Sequence, residues 1–187
     1  MERLLSFAAK LERISSAIGR LAAWAIIALV LVIMTDVILR RWFVIGSTKL
    51  QELEWHLHGF LFLLCLGWAY TKNAHVRIEL VSERLSARTR AWFELVGCIL
   101  FLLPYVSAVL WFGYDYVSYS WAYNEASASP TGLPDRWIIK SAIVIGFAVL
   151  GIAAISRLLQ AVVFLFGSPE QAERTPFSQT EPQTGES

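Results

Sequence analysis

Four long apolar runs, each near the length that crosses a lipid bilayer, constrain this chain more than any other feature. They fall at residues 21–39, 53–70, 92–112 and 138–159, the last running on toward Phe166. A spanning helix needs about 20 mostly apolar residues. Backbone groups in hydrocarbon find no water to bond, so such runs must be helices or the strands of a closed barrel. Barrel strands alternate apolar and polar residues over about ten positions, and these runs are too long and too continuously apolar for that. Composition agrees: of 187 residues 56% are hydrophobic and 17% charged, where soluble domains carry about 25% charged residues. Mean hydropathy is +0.53. These values exclude a soluble enzyme and a disordered chain. A net charge of +1 excludes a strongly basic nucleic-acid binder. The expected fold class is an all-α membrane protein with four transmembrane helices.

The first run is too long for a signal-peptide core and ends in Asp36, Arg40 and Arg41 without a small-residue cleavage pattern, so it reads as a retained helix. Basic residues set the orientation. Eleven lie before the first run, between the second and third, or from Arg157 onward; only Arg40, Arg41, Lys49, Arg136 and Lys140 lie on the other side. Both termini and the 71–91 loop are therefore expected in the cytoplasm. Leu4, Phe7, Leu11, Ile14, Ile18 and Leu21 recur at helical spacing, with Arg3, Lys10, Arg13 and Arg20 on other faces. That pattern predicts an amphipathic interfacial helix over 1–20. A similar stripe, Ile78, Val81, Leu85 and Trp92, precedes the third run. The four spans fill a domain over 21–166. The Pro-, Gln-, Thr- and Glu-rich stretch 167–187 reads as a disordered cytoplasmic tail.

Polar residues are sparse at depth. Asp36 and Arg40 stand at i,i+4, which reads as a structural pair near the outer end of the first span. Glu52 and His56 share one face of the second helix, and Glu54 and His58 another, roughly 200° away. Candidate ligands split over two faces make a poor metal site, which needs three or four converging groups; no metal is expected. A haem held by two histidines is disfavoured too. His56 and His75 are 19 residues apart, roughly 28 Å along a helix, so they lie near opposite surfaces. Cys65 and Cys98 read as free, buried thiols. Pro104 removes a backbone bond to Leu100 and predicts a kink. Ala142 and Gly146 form a small-xxx-small pair suited to seating another helix. The outer loop from Gly113 to Trp137 is rich in aromatics, then turns through Ser-Ala-Ser-Pro-Thr-Gly-Leu-Pro. It suits an interfacial belt and a docking surface for an external partner. No P-loop or nucleophile-elbow motif is present. No catalytic residue or cofactor is expected.

Several patches together carry a resemblance. Arg41-Trp42-Phe43 closes the first helix. Glu54 precedes Gly67 by thirteen residues. His75-Val76-Arg77-Ile78-Glu79 follows the second helix. Gly132-Leu133-Pro134, then Arg136, Trp137 and Lys140, lead into the fourth, which carries Gly146-Phe147. Over about 20–165 the chain resembles the small membrane subunit, the DctQ family, of tripartite ATP-independent periplasmic (TRAP) transporters. Glu79 stands where Asp is commoner, and Val144 where Pro is frequent.

The resemblance implies an accessory, scaffold subunit of a secondary transporter in a bacterial inner membrane. Its partners would be a large permease of about a dozen helices and a periplasmic solute-binding protein. The solute would be small, often an organic acid, and a sodium or proton gradient would drive symport. Membrane lipids would surround it. Under this reading Asp36, Arg40, Glu54, Arg136, Trp137 and Lys140 are interface or helix-fixing residues at the outer surface, with Glu54 expected to pair with Arg136 or Lys140. His75 and Arg77 would cap the turn after the second helix. The rival readings are a membrane anchor of a redox enzyme and a small self-sufficient exporter.

Overall fold

The computed structural model describes residues 1–72 and 85–178, and every regular element among them is helical. The elements are α1 (Glu2–Ala23), α2 (Ala25–Trp42), α3 (Thr48–Thr71), α4 (Ala87–Gly97), a π-helical turn (Cys98–Leu102), α5 (Leu103–Ala122), α6 (Trp137–Phe166) and α7 (Pro169–Glu173). Among the described residues three stretches are long and apolar enough to cross a membrane: Glu2–Trp42, Ala87–Ala122 and Trp137–Phe166. They contain the first, third and fourth expected spans. The second corresponds to α3, which is long, at 24 residues, but is not among the three. Glu52, Glu54, His56 and His58 in its first turns dilute an otherwise apolar sequence.

α6 is the centre of the bundle, in contact with α1, α3, α4 and α5. Small residues make this packing close. Gly146, one turn after the buried Ala142, lies against the backbone of Leu63; a Cβ there would stand 2.6 Å from the Leu63 carbonyl oxygen. Gly67 of α3 is equally tight, with Ser15 Oγ 2.5 Å and the Val149 carbonyl 2.8 Å from such a Cβ. The register of these contacts, Leu63 at Gly146 and Gly67 at Val149, with Thr71 bonded to Arg157, shows that α3 and α6 run parallel. α5 runs antiparallel to α6, with Trp121 edge-on to Trp137 at one end and Tyr105 edge-on to Phe147 nearer the middle.

Pro104 perturbs its helix, by a particular device. Leu103 N–H bonds back five residues to Cys98, opening one π-helical turn just before the proline. A π turn takes up the register that the missing donor and the pyrrolidine ring disturb.

α1 packs on α3 and α6 with its small face: Ala8, Ser15, Ser16 and Gly19 are buried. Ser156 Oγ donates to the Ala8 carbonyl at 2.8 Å, and Gln160 donates to Glu12 at 3.0 Å. The large apolar residues Leu4, Phe7, Ile14 and Leu21 are left exposed. Cys98 is buried and Cys65 half-buried, and neither is in a disulfide. The second amphipathic stripe falls mostly outside the described residues.

One expectation is corrected. The segment after Gly167 is not structureless through its first part. Ser168 and Gln171 form a reciprocal capping box that starts α7, and Phe177 stacks on Phe164 with ring centres 5.5 Å apart. A cap and an apolar anchor are enough to hold a short helix against α6. Residues 179–187 lie outside the described residues.

Candidate functional site

The richest polar construction lies where α3 and α6 begin and the loop from α5 reaches them. Ser47 caps α3, its hydroxyl accepting the Leu50 N–H at 3.4 Å. One turn on, Glu52 holds the loop with both carboxylate oxygens: Oε1 accepts from the Ser127 hydroxyl, and Oε2 accepts the Leu133 N–H at 2.7 Å. The loop also closes on itself. Ser127 N–H donates to the Leu133 carbonyl at 3.0 Å, and Ser129 N–H to Ser127 Oγ at 3.1 Å. Thr131 adds a hydroxyl contact to Thr48 at 3.2 Å. Gly132 permits the approach, because a Cβ there would meet Ser127 and sit 2.8 Å from Glu52 Oε1. The Leu133 N–H, then the Ser127 hydroxyl, hold the Glu52 carboxyl below its ordinary value.

A second fixture follows. Arg136 N–H donates to the Glu125 carbonyl at 2.9 Å, and the Glu125 carboxylate pairs with Lys140 Nζ. Lys140 is itself buried, its ammonium 3.8 Å from the centre of the Tyr116 ring. That combination suits a cation taken out of water, paired with a carboxylate and facing an aromatic ring. The lysine bond is the main reason the Glu125 carboxyl also lies below its ordinary value. Two residues with positive φ, Asn124 at 47° and Asp135 at 57°, turn the chain at either end of the loop, as suits residue types that tolerate the left-handed region.

These partners revise the expected pairing. Lys140 takes Glu125 rather than Glu54. Arg136 lines a recess of about 190 Å³ with Glu52, Trp55, His56 and Ile139. Two residues along a helix is a rotation of roughly 200°, so Glu52 faces the loop while Glu54 faces α2. There Glu54 shares a second recess with Asp36, Arg40 and Arg41. The Asp36–Arg40 pair forms as expected. Trp137 packs edge-on against Trp121 and donates to Asp135 at 3.4 Å. His75 and Arg77 lie outside the described residues. No group of three or more His, Cys, Asp or Glu side chains suited to a metal occurs among the described residues.

The model of the DctQ component of tripartite ATP-independent periplasmic transporters matches residues 29–164. The chain belongs to the DctQ family. A comparison with curated proteins finds no match. DctQ is a transporter component, not an enzyme family, and the apolar spans accord with a membrane protein. The DctQ match takes in α3, the outer loop and nearly all of α6, so every residue of the two fixtures lies inside it. α1 and α7 lie outside. Sequence reasoning put Glu52 on one face of the second helix with His56, gave it no partner, and passed over Ser127 and Glu125. The shared face of Glu52 and His56 was the available signal.

Proposed function

We propose that this DctQ-family chain is the small scaffold subunit of a TRAP secondary transporter. It works beside a large permease and a periplasmic solute-binding protein in a bacterial inner membrane, and the solute is a small organic acid imported by sodium or proton symport. In this reading α3 is a fourth span. Its 24 residues reach about 36 Å, enough for a hydrocarbon core, and its parallel course beside the apolar α6 supports it. Both termini and the inner loop then lie in the cytoplasm, as the distribution of Lys and Arg favours. The large apolar residues of α1 would rest in the inner headgroup region.

The observation that carries the reading is the family match together with the doubly fixed outer loop. Glu52 and Lys140 tie the start of α3, the loop and the start of α6 into one ledge. A ledge held on the external side gives a docking solute-binding protein a fixed surface, and the exposed aromatics Tyr114, Tyr119, Trp121 and Tyr123 give it contact area. The small subunit would supply position, while the solute path would belong to the large permease.

A mild-detergent purification through a C-terminal tag tests this. A larger polytopic subunit should accompany the chain in stoichiometric amount. A lone dimer able to transport in liposomes would overturn the reading in favour of an exporter. Soluble redox subunits with a haem band would overturn it in favour of an anchor.

A further inference from the structure

The recess between α2 and α3 has a composition that the scaffold role does not use. It measures about 480 Å³ and is lined by Ile33, Asp36, Val37, Arg40, Arg41 and Glu54. Asp36 is only 4% exposed. One of its carboxylate oxygens takes the Arg40 guanidinium, and the other, Oδ1, is buried with no hydrogen-bond partner among the described residues. A buried carboxylate oxygen without a donor is costly, so the position calls for one. Arg40 is half exposed and Arg41 exposed. Both side chains are long enough to lift their charge toward the headgroup layer. Ile33 and Val37, one turn deeper along α2, supply an apolar wall. Trp42, Phe43 and Ile45, which follow Arg41 in the chain, are exposed, as apolar and aromatic residues at a membrane interface are.

We propose that this recess binds the headgroup of a phospholipid carrying a primary ammonium, the ammonium on Asp36 and Glu54 and the phosphate on Arg40 and Arg41. Two acids and two bases match a zwitterion rather than an anion. A trimethylated ammonium has no N–H to give to Asp36 Oδ1. A glycerol headgroup brings no positive charge to the two carboxylates. The acyl chains follow the apolar side of α2 past Val37 and Ile33. The inference requires α2 to span the membrane and is independent of which larger protein the chain assembles with.

The test uses the full chain, purified and stripped of lipid, then offered phosphatidylethanolamine, phosphatidylcholine or phosphatidylglycerol in mixed micelles. Retained lipid is counted by native mass spectrometry. Phosphatidylethanolamine should be held about tenfold more strongly than either of the others, as one added charge-assisted hydrogen bond allows. Glu54→Gln and Asp36→Asn should each bring that preference close to one. Arg40→Gln with Arg41→Gln should weaken all three lipids together. If Asp36→Asn does not fold, Glu54→Gln carries the test alone. Equal retention of the three lipids by the unaltered chain would overturn the proposal and leave an ordinary annular contact. A preference that survives Glu54→Gln together with any folded Asp36→Asn would also overturn it, placing the lipid elsewhere.

Discussion

α2 and α6 are both apolar enough to cross a membrane, yet they stand in opposite relations to the protein. Thirteen of the thirty residues of α6 are buried, and two of the eighteen of α2, Leu29 and Asp36. Hydropathy does not separate them; side-chain size does. α6 presents Ala142, Gly146, Gly151, Ala153, Ala154 and Ala161 to its neighbours. α2 carries Ile, Leu, Val and Met around most of its circumference and packs on α3. Lipid is as apolar as Leu, so helices in a membrane gain by close approach rather than by hiding apolar surface. The small residues therefore mark where protein meets protein, and the large ones where it meets lipid or another subunit.

The sharpest way to break this comparison is to put a large residue into α6. Gly146→Leu must displace the backbone of Leu63, with which even a Cβ collides. We expect a loss of about 3 kcal/mol or more, at the upper end of overpacking costs. It would be read as loss of monodisperse protein in detergent and a lowered Tm. Equal stability of Gly146→Leu and the unaltered chain would mean that α3 and α6 do not pack in this register.

The outer ledge should be the next most sensitive region. Glu52→Gln removes the charge that holds Ser127 and the Leu133 N–H, and exchange of the Leu133 amide should speed several-fold. Glu54→Gln should leave that amide unchanged. The same contrast can be made with acid. The carboxyls of Glu52 and Glu125 both lie below the ordinary 4.5, so the folded state holds their protons more weakly than the unfolded. Their contribution is complete above that value and is lost as pH falls below it, through their lowered folded values. The loop should therefore loosen below about pH 4.5, seen as faster cleavage between Asn124 and Arg136. In Glu52→Gln the remaining acid dependence should be that of Glu125 alone.

These two carboxylates also show what could be read from sequence and what could not. Hydropathy marked the apolar segments, and helical periodicity put Glu52 and Glu54 on opposite faces. Periodicity fixes a relative angle but not which face turns toward a loop more than seventy residues away, nor that Glu125 of that loop, rather than Glu54, would take Lys140. Pro104 announced a disturbance, but its form as a π turn depends on how α4 and α5 both pack on α6. The tail was misread for a different reason. Its composition is that of a disordered segment, while the Ser168–Gln171 box and Phe177 are short local signals that an average hides. The small-xxx-small pair in α6 was legible because packing in a membrane leaves few other uses for a buried glycine.

A smaller effect is expected where α1 joins the bundle. Ser156→Ala deletes the hydrogen bond to the Ala8 carbonyl. Interhelical bonds of this kind in membranes average about 0.6 kcal/mol, so Tm should fall by only a degree or two, with α1 still bound through its small face. A fall as large as that of Gly146→Leu would show that α1 depends on polar bonds rather than close packing. The α1 joint would then obey a different rule from the joint of α3 with α6.

The smallest effect should come from α2. Leu31 is 63% exposed, and Leu31→Ala removes no contact with the buried core. Stability of the isolated chain should change by less than about 0.5 kcal/mol. The same substitution has a second reading in the assembled transporter. If the outward face of α2 meets only lipid, a larger subunit should copurify as before, because one methyl-rich surface has been exchanged for a slightly smaller one. If that subunit is lost while the Tm of the isolated chain holds, the face is a protein joint built from large side chains. Large residues would then mark a separable interface between subunits, and small ones the permanent interior of this chain.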